Sequence, residues 1–235
     1  MIKEAIEKIL SLAPYKAEEI NGRTYSNGPA GISPIKAPKA ETLYINTLTG
    51  IVDYAPNKGI LDMLHIASHN TVHHVNAAYD DNWLSRSTYL TAAHESPVFR
   101  FGQFLNVEDF IINLQAMFVQ DENTAAILRI VGNLKDESVT QFSDDGTTQA
   151  VTAKAGISRV EQVALPNPVT LRPYRTFMEI EQPASTFVFR MQSGQGVVKP
   201  SCALFEADGR MWQLEAIQSI KKWLAEKIPG IKIIA

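Results

Sequence analysis

The chain has 235 residues and a mass of 26.0 kDa, enough for one elaborated domain with a real core and too short for two average ones. Lys and Arg number 22 against 25 Asp and Glu, and the net charge of −3 removes the case for non-specific coating of duplex DNA. With 45% apolar and 20% charged residues the chain is not globally disordered; its one cysteine, Cys202, fits a reducing cytoplasm and excludes an intrachain disulfide framework or a Cys-based zinc cluster.

In chain order, Ile2, Ala5, Ile6, Ile9 and Leu10 recur at helical spacing among Lys and Glu, which predicts a short amphipathic helix over 2–12. The same stretch has no continuous apolar run, so it does not read as a signal peptide, and FIINLQAMFV is too short and amide-rich to span a bilayer. A soluble protein of the cytoplasm is expected. Residues 13–39 carry Pro14, Pro29, Pro34 and Pro38 with Gly22, Gly28 and Gly31, which reads as an extended arm or linker. TLYIN predicts a strand, Thr47 the N-cap of a helix through LTGIVDYA, and Asn57-Lys58-Gly59 a stop. LHIAS, TVHHVNAAY and STYLTAA predict an antiparallel meander.

Asn106 is the expected cap of a helix whose stripe is Val107, Phe110, Ile111, Leu114 and Phe118, and Asp121 starts a second, ending at Gly132. SVTQFS and TQAVTA flank the turn Asp144-Asp145-Gly146; VEQVAL, PNPVTLRP, TFMEIEQ, TFVFRM and SCALFEA follow as strands. A last helix runs from Trp212 to Pro229 with Leu214, Ile217, Ile220, Trp223 and Leu224 in step. Strands in runs, paired helices and no regular βαβ alternation argue for an α+β fold, with residues 1–39 as N-terminal helix and arm and 40–235 as one antiparallel, β-rich α+β domain.

FRFGQF at 99–104, VGNLKDESV at 131–139, DDGTTQAVTAKAG at 144–156, LPNPVTLRPYRTFMEIEQP at 165–183, FVFRM at 187–191 and CALFEADGRMW at 202–212 together resemble an uncharacterised family of tailed-bacteriophage and prophage proteins. The long string NPVTLRPYRTF followed by QP and FVFR carries most of that resemblance; residues 1–90 share only the TLTGIVDY segment. The resemblance implies a phage-encoded accessory protein working in the infected host cytoplasm, and it transfers no catalytic residue.

Three constellations bear on chemistry. His65, His69, His73 and His74 fall within ten residues, and on a helix the first three would share a face suited to a divalent ion. The window is strand-like, however, so His73 and His74 point to opposite faces, and surface or half-buried strand histidines are the preferred reading. Glu179 and Glu181, with Glu206 and Asp208, would each align two carboxylates on one strand face, the pattern a metal-dependent phosphoester hydrolase needs; an ordinary solvated face is the preferred alternative.

Arg172, Tyr174, Arg175 and Phe177, followed by Arg190, concentrate guanidinium groups for phosphate and rings for stacking on a base. Ion pairs of these arginines with Glu179, Glu181 or Glu161 are the competing reading. No Walker loop, GxGxxG, GxSxG or complete catalytic set is present, and nothing in the sequence requires a cofactor. The sequence therefore points to a non-catalytic accessory that binds a small phosphate-bearing ligand, such as a nucleotide immune signal sequestered as counter-defence. A single-stranded nucleic-acid-binding replication or recombination accessory and a metal-dependent hydrolase are its alternatives. A homo-oligomer is expected from the arm and the aromatic last helix, and no membrane partner.

Overall fold

The computed structural model describes residues 2–11, 16–28, 31–35, 41–55, 62–76, 86–136, 142–144, 149–151, 167–192 and 200–235. The expected stop at Asn57-Lys58-Gly59, the turn glycine Gly146 and VEQVAL with Glu161 lie outside these residues. Helix α1 (Ile2–Ser11) forms as its periodicity predicts. The segment expected to be an arm instead pairs with itself: β1 (Lys16–Ile20), β2 (Arg23–Gly28) and β3 (Gly31–Pro34) form an antiparallel three-stranded sheet. The reason is Asn21-Gly22, both at positive φ (52° and 74°) between the paired Ile20 and Arg23, which closes the two-residue hairpin that such a dipeptide favours. Reading glycine and proline only as breakers misses that signal.

Next come β4 (Leu43–Ile45), α2 (Leu48–Tyr54), β5 (Asp62–Ser68), β6 (Thr71–Asn76) and β7 (Thr88–Ala93). Strands β5 to β7 form the expected meander, and Thr47 caps α2 by accepting from the Gly50 amide at 3.2 Å. After β8 (Leu105–Asn106), α3 (Val107–Met117) starts on its Asn106 cap, whose side chain accepts from the Asp109 amide at 2.9 Å. Helix α4 (Glu122–Asp136) starts on Asp121, which accepts from the Thr124 amide at 2.9 Å. It runs through Gly132, since a glycine inside a helix costs only about 1 kcal/mol and does not terminate one.

The short pair β9 (Phe142–Asp144) and β10 (Gln149–Val151) is antiparallel, and β11 (Val169–Leu171), β12 (Ser185–Gln192) and β13 (Ser201–Glu206) follow. The chain ends in α5 (Met211–Lys227) and β14 (Lys232–Ile234), the latter a strand that the periodicity of IKIIA did not announce.

Two helix-on-sheet layers result, and the class is α+β with mixed strand directions. In the first, α3 lies on β13 and α4 on β11 of the sheet β11-β12-β13-β8. Alternation along β12 buries Phe187, Phe189 and Met191 against Phe110, Leu114, Phe118 and Ile127 of the helices and their connection. Each such fully buried side chain contributes about 1.5–3 kcal/mol.

In the second layer, α2 and α5 cover the five-stranded sheet β14-β5-β6-β7-β4, whose two edge strands are parallel to their neighbours. Its core is Leu48, Ile51, Leu64, Ile66, Val72, Leu90, Ile220 and Leu224. Phe177 and Ile180 join this core from the loop between β11 and β12, whose flanking strands belong to the first layer. Among the described residues no helix is long and apolar enough to cross a membrane.

Candidate ligand site

The loop 172–184 decides where the sequence-derived site residues go. TFMEIEQ was expected to be a strand; it is a series of turns held by one buried amide. Gln182, 5% exposed, accepts from the Arg175 amide at 2.9 Å and the Thr176 amide at 3.3 Å, and donates to the Phe177 carbonyl at 3.1 Å. A side chain thus supplies the hydrogen bonds that a neighbouring strand would otherwise provide. The loop's start is tied the other way, with the Val119 amide on the Arg172 carbonyl and the Tyr174 amide on the Met117 carbonyl, both at 2.9 Å.

The five residues consequently part company. Arg172 lies in an exposed ion pair with Glu181 at 2.5 Å, and Tyr174 sits half-buried beside the α3–α4 connection. Phe177 is fully buried in the second core with its ring 5.8 Å from that of His94, so it presents no face to a base. Arg190 lies on the face of β12 opposite Phe187 and Phe189. Arg175 alone lines a cleft.

The carboxylates separate in the same way. Glu179 accepts from the Thr49 amide at 3.1 Å in the first turn of α2, Glu181 holds Arg172, Glu206 holds Arg175, and Asp208 accepts from the Arg210 amide at 3.0 Å. The alignment on one strand face that the hydrolase reading needs is not formed by Glu179 and Glu181, because their segment is not a strand.

Nor do the four histidines gather. His65 and His73 are cross-strand partners with ring centroids 6.0 Å apart, His74 is buried between Tyr54 and Tyr89, and His69 lies in the β5–β6 turn against Trp212. Among the described residues no three His, Cys, Asp or Glu side chains come together as a metal site.

The cleft has a volume of about 710 Å³ and lies between the two layers at the start of α5. His69 and Asn70 come from the β5–β6 turn, the run from His94 to Phe101 from the chain leaving β7, Arg175 from the Gln182-held loop, and Glu206, Arg210 and Trp212 from the β13–α5 turn. That turn is tight because Gly209 takes φ 62° and Arg210, the N-cap, φ 68°. Arg210 makes no side-chain cap hydrogen bond; the turn is held instead by the Asp208 carboxylate on the Arg210 amide and by the Met211 amide on the Asp208 carbonyl.

Arg175 is 8% exposed. Its guanidinium carbon sits 4.6 Å from the Phe101 ring centroid and 4.5 Å from that of Trp212, with Nη1 2.9 Å from Glu206 Oε1. Burial pulls its pKa below the usual arginine value, and Glu206 and Asp208 pull it back up. It remains a cation at neutral pH. Burial, then the charge of Arg175, lower the pKa of His69 below its ordinary 6.5, so its ring faces the cleft neutral.

Among the described residues lining the cleft, three hold a buried polar atom with no hydrogen-bond partner: Arg175 Nη2, Trp212 Nε1 and Ser96 Oγ. The first two are donors only and the third donates readily. Each orphaned group costs about 1–3 kcal/mol.

Most of this site was not visible in the sequence, because its parts are contributed by segments far apart in the chain. The one local signal was HESPV at 94–98, a polar run between a strand and the aromatic FRF, in a position where binding residues concentrate. The chain matches no protein-family model, no curated protein and no solved structure.

Proposed function

We propose that this protein is a non-catalytic binder of a small phosphate-bearing ligand, taken up in the cleft at the start of α5. The observation that carries the reading is that one cleft at the start of α5 is lined by two cations, Arg175 and Arg210, with Trp212 and Ser96 in the same wall. Phosphate oxygens are strong acceptors, a guanidinium is their best side-chain partner, and helix N-termini favour anions. The half-buried rings of His69, His94 and Phe101 supply flat apolar surface for a ring on the same ligand. A nucleotide-type signal fits this combination, and the resemblance of NPVTLRPYRTF and FVFR to phage proteins supports the reading of a counter-defence accessory that sequesters such a signal.

Compared with the sequence-derived set, the ligand residues become Arg175, Ser96, Trp212 and Arg210, with Arg172, Tyr174, Phe177 and Arg190 outside the cleft lining. The single-stranded nucleic-acid and hydrolase readings lose their residues to ion pairs, caps and the core.

Isothermal titration of the full chain with a panel of cyclic, linear and ADP-ribose-type nucleotides tests the proposal. Ser96→Ala and Arg210→Gln each remove one polar group of the lining; each should weaken a binding member about tenfold, the equivalent of about 1.4 kcal/mol. A panel in which nothing binds, or variants that bind as well as the parent, would overturn it.

A further inference from the structure

The five-stranded sheet has a second face, turned away from its core. Cross-strand register sets Tyr44 of β4, Thr91 of β7, His73 of β6, His65 of β5 and Ile234 of β14 in one row across it. Directly opposed residues share a face. The residues that alternate with them along the strands, Leu64, Ile66, Val72, Leu90 and Ala92, point the other way and form the core. Neither His65 nor His73 belongs to the lining of the cleft.

His65 is exposed and His73 half-buried, and their ring centroids lie 6.0 Å apart with an interplanar angle of 41°. An imidazole nitrogen binds zinc at about 2.0–2.1 Å, so an ion shared by two rings sets their centroids about 5.3 Å apart at a tetrahedral angle and about 6.5 Å apart in line. The observed separation falls inside that interval. His73 Nδ1 lies 2.9 Å from Thr91 Oγ1. With the hydroxyl as acceptor, the proton stays on Nδ1 and the lone pair on Nε2, the way an outer hydrogen bond holds a ligating histidine. Met63 and Val75, opposed on the same face and buried, wall the pair on one side. Strands β5 and β6 are interior strands of the sheet, flanked by β14 and β7, so paired backbone on both sides fixes the spacing of the two rings.

We propose that His65 and His73 form a binding site for a divalent ion of the zinc type, with Thr91 positioning His73 and water completing the coordination. Neutral imidazole suits zinc, nickel and copper, whereas magnesium and calcium take oxygen ligands. Two protein ligands, against the four of a structural zinc site, make the ion exchangeable. Since the ligands are brought together by strand pairing, the ion favours the folded hairpin over the unfolded chain. Lys232, in register with Met63, is exposed, and solvent and salt screen its charge from the site.

Calorimetric titration of the full chain, stripped with EDTA and free of any histidine tag, reads this out with Zn²⁺ and with Mg²⁺. The expected result is one Zn²⁺ per chain with a Kd below about 1 mM, and no binding of Mg²⁺. His65→Gln and His73→Gln should each weaken Zn²⁺ at least about tenfold, and Thr91→Val, which keeps the shape and removes the hydroxyl, about tenfold. Proton NMR locates the ion: Zn²⁺ should shift the Cε1–H signals of His65 and His73, each assigned by its loss in the matching variant. No Zn²⁺ binding up to about 1 mM, an affinity within about twofold of the parent in both histidine variants, or shifts at other histidines instead, would overturn the site. An unchanged affinity in Thr91→Val would overturn its positioning role. Circular dichroism checks the fold of each variant, and because His65 is exposed, His65→Gln decides the matter even where His73→Gln fails to fold.

Discussion

The Arg175–Glu206 pair offers a direct test of how deeply Arg175 is shielded from solvent. The perturbation is a double-mutant cycle of Arg175→Met, Glu206→Gln and the combination, with methionine chosen to preserve contact with Phe101 and Trp212. At a separation of 2.9 Å the Coulomb attraction is about 5.7 kcal/mol for an effective dielectric of about 20, and about 1.4 kcal/mol in bulk water. Arg175 is 8% exposed and the Glu206 side chain 28%, so the pair lies between these limits, and a coupling of about 3 kcal/mol is expected. Urea unfolding followed by circular dichroism supplies the four stabilities. The exposed pair Arg172–Glu181 is the internal control: although its separation is only 2.5 Å, the side chains are 41% and 76% exposed, and its coupling should stay below about 1 kcal/mol. Equal couplings for the two pairs would refute the claim that Arg175 works in a shielded environment.

Asn106→Ala removes the acceptor for the Asp109 amide at the start of α3 and should lower stability by about 1 kcal/mol, read as a fall in the urea midpoint with an unchanged slope. Cys202 is fully buried, with its thiol pushed up to about 12; it should resist iodoacetamide in the native protein at mildly alkaline pH and react once urea unfolds the chain. The pKa values of His69 and His73 lie below 6.5 in the folded chain, the first through burial and Arg175, the second through burial and His65. Below 6.5 the unfolded chain therefore binds more protons than the native one. Their contribution to stability is complete above that value and is lost as the pH falls toward the folded values. The urea midpoint should drop from pH 7 to pH 5.5 by less in His69→Gln and His73→Gln than in the parent; an identical drop would remove these two groups from the account.

What could be read from the sequence was what depends on near neighbours. Thr47, Asn106 and Asp121 start helices through bonds that span three residues, and TFVFRM forms the strand its pattern predicts because one sheet face is core. The misreadings arose where a distant partner overrides the local pattern. TFMEIEQ alternates like a strand, yet the side-chain amide of Gln182 captures the Arg175 and Thr176 amides and turns the segment on itself. Asn167 does the converse for β12, exchanging hydrogen bonds with the Phe189 backbone at 3.0 and 3.2 Å as another strand would. Residue type alone does not reveal which backbone a side-chain amide will serve. Arg175 lies against aromatic rings, but the rings are Phe101 and Trp212, and the neighbours grouped with it by sequence proximity went elsewhere.

The course of the 172–184 loop bears on how the molecule comes apart. Leu171 belongs to the first core and, six residues on, Phe177 is pegged into the second, while Gln182 clamps the backbone between. Opening either half drags a buried ring or a set of satisfied amides out of the other. The two layers should therefore behave as one cooperative unit, with slow amides in β12 and β6 exchanging hydrogen for deuterium in a shared global event. Phe177→Ala would uncouple them, letting one half breathe while the other stays closed.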